Sequence, residues 1–198
     1  MQRLETEIAT LAARYAVDEG LDYGSAKRRA VKALGLPGRT PLPDNERLDE
    51  AVREHIALFC ADSQPAELLA LRRLALIWMD RLAAYRPLIG GAVWQGTATR
   101  LSDIYLQLFC DDGKSVEIAL IDQKFRYQAR QVTGLQGGSV DALSLHVRCP
   151  ELGEEVGLHL LINGRDADRG ARRSDAHGRP LRGDAQGLRE RMTREAAT

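Results

Sequence analysis

The chain has 198 residues and a formal net charge of zero, 28 Lys and Arg against 28 Asp and Glu. That length can bury a real core in one or two domains, and neutrality excludes a globally basic nucleic-acid binder. Aromatic residues make up 5% of the chain, which argues against an RNA-binding face of stacked rings.

Residues 1–86 read as helices. Leu4, Ile8, Leu11 and Tyr15 fall on one helical stripe, which Gly20 ends. Ser25 is placed to cap a second helix over 26–34, stopped by Gly35 and Pro37. Residues 38–44 hold Pro41 and Pro43 and read as a loop. Leu48, Val52, Ile56 and Phe59 form the next stripe, with Asp49 and Arg53 spaced for an ion pair. Asp62 and Ser63 are cap candidates, and Pro65 suits a first turn. Leu71, Leu74, Trp78 and Leu82 line a long helix ending near Arg86 and Pro87.

After Pro87 the period changes. Residues 104–109 and 116–121 are apolar runs of strand length, and 124–132 can supply a third strand. Leu143, Leu145 and Val147 alternate with polar residues, as do Val156, Leu158, Leu160 and Ile162. Asp111-Asp112-Gly113 reads as a hairpin turn and 134–139 as a longer one. From Gly164 the chain is polar and rich in Arg and Gly. The expected organisation is therefore a helical region over 1–86, packed on a small mixed or antiparallel α+β core over 87–163. A mobile polar tail follows over 164–198, with a short helix near 188–192.

The segment with chemistry in it runs Leu88-Ile89-Gly90-Gly91-Ala92-Val93-Trp94-Gln95-Gly96-Thr97-Ala98-Thr99-Arg100-Leu101-Ser102-Asp103-Ile104-Tyr105-Leu106. A glycine pair here follows an amphipathic helix, and an acid then opens a strand. In this arrangement the chain resembles the DNA polymerase β-like nucleotidyltransferase superfamily over roughly residues 71–121. The resemblance implies a nucleotidyltransferase-like fold, a nucleoside triphosphate as substrate or ligand, and Mg²⁺. Glycine lets backbone approach a phosphate closely at a helix start. Acids two apart on a strand share a face and, with a third acid alongside, can hold two Mg²⁺ ions.

Carried onto this sequence, Gly90 and Gly91 match the glycine pair, and Asp103, preceded by Ser102, matches the first acid. Glu117, in the predicted strand after 104–109, is the candidate third acid, so Asp103 and Glu117 are the implied metal ligands. Tyr105 stands where the second acid would be, and a phenol with a pKa of about 10 is a poor Mg²⁺ ligand. Gly96 and Thr97 are a second candidate glycine–hydroxyl pair. Five residues separate Thr97 from Asp103, too few for the intervening helix turns, so they are kept as pocket residues.

Two functional readings follow. In one, Asp103, Glu117 and Tyr105 belong to a Mg²⁺-dependent site that transfers a nucleoside monophosphate to a hydroxyl acceptor. In the other, the same fold is a non-catalytic module for a nucleotide or a protein partner. A third, weaker reading is nucleic-acid contact through Lys27, Arg28, Arg29, Lys32 and the Arg-rich tail, although such a run reads first as a solvated helix face. His55, His146 and His159 lack zinc spacing, and no nucleophile-elbow or P-loop motif occurs. Cys60, Cys110 and Cys149 are odd in number and widely spaced, so they read as small buried residues of a reducing compartment. With no apolar leader core and no membrane-length apolar run, the expected location is cytoplasmic.

The neutral total conceals an uneven distribution. Residues 1–86 carry 13 basic and 13 acidic side chains, 87–163 carry 6 and 9, and 164–198 carry 9 and 6. An acidic core agrees with a cation site, and a basic tail with phosphate contact.

Overall fold

The computed structural model describes residues 2–175 and 178–197, and the chain divides into two compact units. The first holds residues 1–68 and 97–101; the second holds 69–96 and 102–198. The division therefore falls inside the fourth helix, earlier than the change of pattern at Pro87.

In the first unit α1 (Gln2–Asp18), α2 (Tyr23–Ala33) and α3 (Asn45–Phe59) bury the predicted stripes. Ile8, Ala12, Val31, Leu48 and Val52 are among the residues of their shared core. Asp22 rather than Ser25 caps α2, accepting from the Ser25 N–H at 3.0 Å. Asp44 caps α3 in the same way, and Arg53 pairs with Asp49 at 2.9 Å as its spacing predicts. Gly20 has a φ of +68°, and a Cβ there would lie 2.7 Å from the Leu101 carbonyl oxygen, so both conformation and close approach demand glycine. α4 (Gln64–Arg81) begins in this unit, where the Gln64 amide donates to the Ala98 carbonyl at 2.9 Å.

The second unit is a six-stranded mixed sheet with helices, an α+β arrangement. Its strands are β1 (Leu88–Gly90), β2 (Ile104–Phe109), β3 (Gln128–Thr133), β4 (Ser139–Cys149), β5 (Glu154–Asn163) and β6 (Arg182–Gly183). The order is β3-β4-β5-β2-β1-β6. β2 and β5 run parallel and every other pair is antiparallel. Register puts Ile104, Leu158 and Leu145 in one cross-strand row and Leu106, Leu160 and Leu143 in the next. All six are buried, which fixes this face as the core face because a one-residue slip would turn the whole set to solvent. Leu71, Leu74, Trp78 and Leu82, after the boundary in and just beyond α4, are buried as well.

The run at 116–121 is not a strand. It lies in α6 (Lys114–Asp122), where Val116 and Leu120 are buried while Ile118 and Ile121 are exposed. Those four residues follow a helical stripe as readily as a strand, and a short apolar run cannot decide between the two. Asp112 tips the balance: its carboxylate accepts from the Lys114 N–H at 3.0 Å and its carbonyl from the Ser115 hydroxyl at 2.7 Å. Asp111-Asp112-Gly113 is accordingly a strand-to-helix link rather than a hairpin turn. The 134–139 hairpin is present, joining β3 to β4.

The segment after Gly164 is not a loose tail over its described residues. It forms a 3-10 stretch over Arg165–Gly170, then β6 at the sheet edge and α7 (Ala185–Ala196). Patterning does not show it because its apolar anchors are few: Ala167 and Ala171 pack with Leu88 and Phe109, Leu188 is buried, and charge and one ring add to them. Arg191 lies 4.2 Å over the Trp94 ring. Glu195 pairs with the buried Arg72, and Arg189 with Asp80 at 2.7 Å. Ala176, His177 and Thr198 of the expected tail lie outside the described residues. No helix among the described residues is long and apolar enough to cross a membrane.

Candidate functional site

β1 ends at Gly90, and the short helix α5 (Gly91–Gln95) starts directly after it with Gly90 as N-cap. The glycine pair thus opens a helix, as its placement predicts. The two glycines have different reasons. Gly91 has a φ of +65° and open space where a Cβ would stand. At Gly90 a Cβ would lie 3.1 Å from Cγ of Arg182, its partner across β6, so Gly90 makes room for the arginine stem. Gly96 closes α5 in the left-handed region with a φ of +86°. Thr97 belongs to the first unit and is buried there.

Asp103 stands just before β2, and Tyr105 is the second residue of that strand, on the face opposite the apolar core. Tyr105 pairs across the parallel β5 with His159, and His159 across β4 with Ser144. The side chains form one connected row. His159 Nε2 lies 2.9 Å from Asp103 Oδ2, and His159 Nδ1 lies 2.8 Å from Ser144 Oγ. The Tyr105 and His159 rings stack with centroids 4.6 Å apart and planes 24° apart. A carboxylate only accepts, so Nε2 carries the hydrogen toward Asp103 and Nδ1 faces the serine hydroxyl.

Gly157 lies on β5 two residues before His159. A Cβ there would lie 2.6 Å from Cγ of Asp103 and would overlap Oδ1 more closely still. The bare strand at Gly157 is what lets the carboxylate reach the imidazole. The His159 hydrogen bond holds the Asp103 carboxyl below its ordinary value of 3.8, against the opposing effect of burial. The His159 charge, the Gly157 N–H and His146 act in the same direction as the hydrogen bond.

Glu117 is not part of this row. β2 has β1 and β5 as neighbours, not a strand carrying Glu117. On α6 its carboxylate accepts from the Tyr127 hydroxyl at 2.7 Å. The residue two strands share with Asp103 and Tyr105 is His159, which spacing in sequence does not reveal. Ser102, next to Asp103, belongs to the same unit.

The donor set does not fit the two-metal centre that the motif implies. Such a centre needs several hard oxygen ligands. Here one carboxylate stands beside a phenol and an imidazole. Among the described residues no group of three His, Cys, Asp or Glu could hold a metal ion. The Ser144-His159-Asp103 order is that of a hydrolase triad. Yet Ser144 lies in mid-strand between two ladders, which commits the local amides that an oxyanion would need.

The basic residues of α2 are largely engaged within the first unit. Lys27 is buried, donating to the Pro43 carbonyl at 2.6 Å and to Asn45 Oδ1 at 2.7 Å. Arg29 pairs with Glu19 at 2.6 Å and lies over the Tyr15 ring. Cys60, Cys110 and Cys149 are free thiols.

No protein-family model matches the chain, and no curated protein matches it. Among solved structures, the chain is similar to Cid1 bound to the UTP analog UMPNPP, at 17% identity and a TM-score of 0.37. It is similar to the MgGTP-bound Cid1 poly(U) polymerase at 15% and 0.36, and to a cytoplasmic RNA terminal U-transferase at 20% and 0.35. Each match covers 58% of this chain and 38–40% of the other, so the chain spans about two-fifths of those structures' length.

Proposed function

We propose that the protein is a nucleotidyltransferase-like module that binds a nucleotide on the open sheet face at Asp103, Tyr105 and His159, without two-metal transfer. The observation that carries this reading is the Asp103–His159 hydrogen bond. It ties the motif's first acid to an imidazole where a further acid would be needed for catalysis. Tyr105 is 37% exposed with His159 stacked behind it, which makes a braced aromatic surface for a base. Asp103 keeps lone pairs for a sugar hydroxyl or base N–H and, being anionic, turns phosphates away from itself. Gly91 is the glycine with room for a phosphate to approach.

The test is calorimetry with the four nucleoside triphosphates on the native chain and on Tyr105→Ala, Tyr105→Phe and Asp103→Ala. Losing one base–aromatic stack weakens binding by about tenfold or more, so Tyr105→Ala should fall by that factor while Tyr105→Phe stays near native. Asp103→Ala should also weaken binding. No triphosphate binding, or equal binding by Tyr105→Ala, overturns the reading. Nucleotide incorporation into an acceptor with release of pyrophosphate would overturn its non-catalytic half.

A further inference from the structure

A second feature of this unit lies further along the same strand. Gln107 is four residues beyond Asp103 on β2, about 13 Å at strand rise. It lines a cavity of about 310 Å³ together with Thr133, Gly134, Arg173, Leu181 and Arg182. A volume near 300 Å³ is at the small end for ligand pockets.

The charge in this cavity is one-sided. Arg182 is part-buried and donates one hydrogen bond, to the Ala171 carbonyl at 3.2 Å. Burial, and then the positive charge of Arg173, holds its guanidinium below the ordinary value; no carboxylate is among the influences on it. Neighbouring arginines are paired differently. Arg172 bonds Asp184 at 2.9 Å, Arg86 bonds Asp168 at 2.8 Å and Arg179 bonds Asp175 at 2.7 Å. Arg182 is half-buried and Arg173, which is exposed, sets a second positive charge beside it; the two repel each other unless an anion lies between them.

Gln107 supplies an independent observation. It is only 9% exposed, and its orientation is fixed from behind. The Leu135 N–H donates to Asn163 Oδ1 at 3.3 Å, which turns Asn163 Nδ2 to donate to Gln107 Oε1 at 2.8 Å. Gln107 thus lines the cavity with its oxygen already occupied, and among the described residues its amide nitrogen has no protein acceptor. Two guanidiniums and one amide N–H₂, with no carboxylate among the lining residues, suit an oxyanion of high charge.

We propose that the cavity bounded by Gln107, Arg173 and Arg182 is a binding site for the phosphate group of a small molecule, a phosphate monoester or a pyrophosphate. The site stands apart from Asp103 and Tyr105 and does not depend on the nucleotide reading. A probe without a base tests it alone.

The experiment is calorimetric titration of the full chain with sodium pyrophosphate and with inorganic phosphate, at low and moderate salt. Native protein, Arg173→Gln, Gln107→Met and, as a control for bulk charge, Arg148→Gln on β4 are compared. Native protein should bind pyrophosphate in the millimolar range or tighter. Arg173→Gln should bind about tenfold more weakly or worse, because a charge-assisted contact is lost, Gln107→Met should be weakened less, and Arg148→Gln should match native. A second readout guards against a folding defect: in anion-free buffer Arg173→Gln should melt no lower than native, since a like charge has gone. In pyrophosphate it should melt below native, since it loses ligand stabilisation. Absence of pyrophosphate binding, equal binding by Arg173→Gln, or equal weakening by Arg148→Gln overturns the site. Binding of a single-stranded oligonucleotide through Arg173 without pyrophosphate binding also overturns it, in favour of a nucleic-acid surface.

Discussion

Gly157→Ala places a methyl group where the Asp103 carboxylate now lies, 2.6 Å from its Cγ. The carboxylate is the end of a mobile side chain, so it swings away rather than distorting β5, and the His159 bond at 2.9 Å is broken. A hydrogen bond to a charged group contributes about 1.5–3 kcal/mol. Asp103 is 44% exposed and regains water, so the loss here is nearer about 1–1.5 kcal/mol. Glycine-to-alanine replacement in a compatible backbone also stabilises by about 0.4–1 kcal/mol through the unfolded chain. The two effects oppose, which makes a double-mutant cycle with Asp103→Ala the proper assay. With Asp103 native, Gly157→Ala should be neutral to destabilising in urea unfolding; with Asp103→Ala it should be stabilising. The coupling should be about 1–1.5 kcal/mol, and carbon-detected titration should show the Asp103 carboxyl rising toward 3.8 in Gly157→Ala. Additivity within about 0.3–0.5 kcal/mol, with an unmoved Asp103 titration, would refute the reasoning.

The Asp103 carboxyl is lowered on folding, so its stabilisation is present above its ordinary 3.8 and is lost as pH falls through the lower folded value. Asp103→Asn should therefore be less stable than native near neutral pH, with the gap closing below pH 3.8 in acid-unfolding curves. Gly183→Ala would drive a Cβ into the Trp94 ring; overpacking of this kind costs about 1–3 kcal/mol, read as a lower melting temperature with altered tryptophan emission. Glu195→Ala strands the buried Arg72, which also donates to the Val93 carbonyl at 3.1 Å. With Glu195 half exposed, the loss should sit near the lower bound for a broken buried pair, about 3 kcal/mol or somewhat less, and equal stability by chemical denaturation would contradict it.

The helices of the first unit are legible because Ile8, Leu48 and Val52 recur at helical spacing. The place of Asp103 and Tyr105 on one strand face is legible because residues two apart always share a face. Glu117 is expected on a strand and lies on a helix because Val116, Ile118, Leu120 and Ile121 satisfy either period, and the deciding contact is the local one from Asp112. Spacing gives His159 no role beyond the absence of a zinc pattern, because its partnership with Tyr105 depends on the parallel pairing of β2 with β5. No local pattern encodes a contact between strands that far apart in sequence. The C-terminal segment has few apolar residues, and its anchors, Arg191 on Trp94 and Glu195 on Arg72, become visible only once distant elements meet. The even charge total hides the pairing of Arg172 with Asp184 and, among the described residues, the absence of a carboxylate partner for Arg173 and Arg182.

We propose that nucleotide binding at Tyr105 and His159 does not run through Mg²⁺. Titrating the native chain with a nucleoside triphosphate in excess Mg²⁺, and again in chelator, tests it most directly. Binding is expected in both, with affinities equal to within about threefold, well under 1 kcal/mol. Binding that collapses by tenfold or more, about 1.4 kcal/mol, when Mg²⁺ is removed would contradict it.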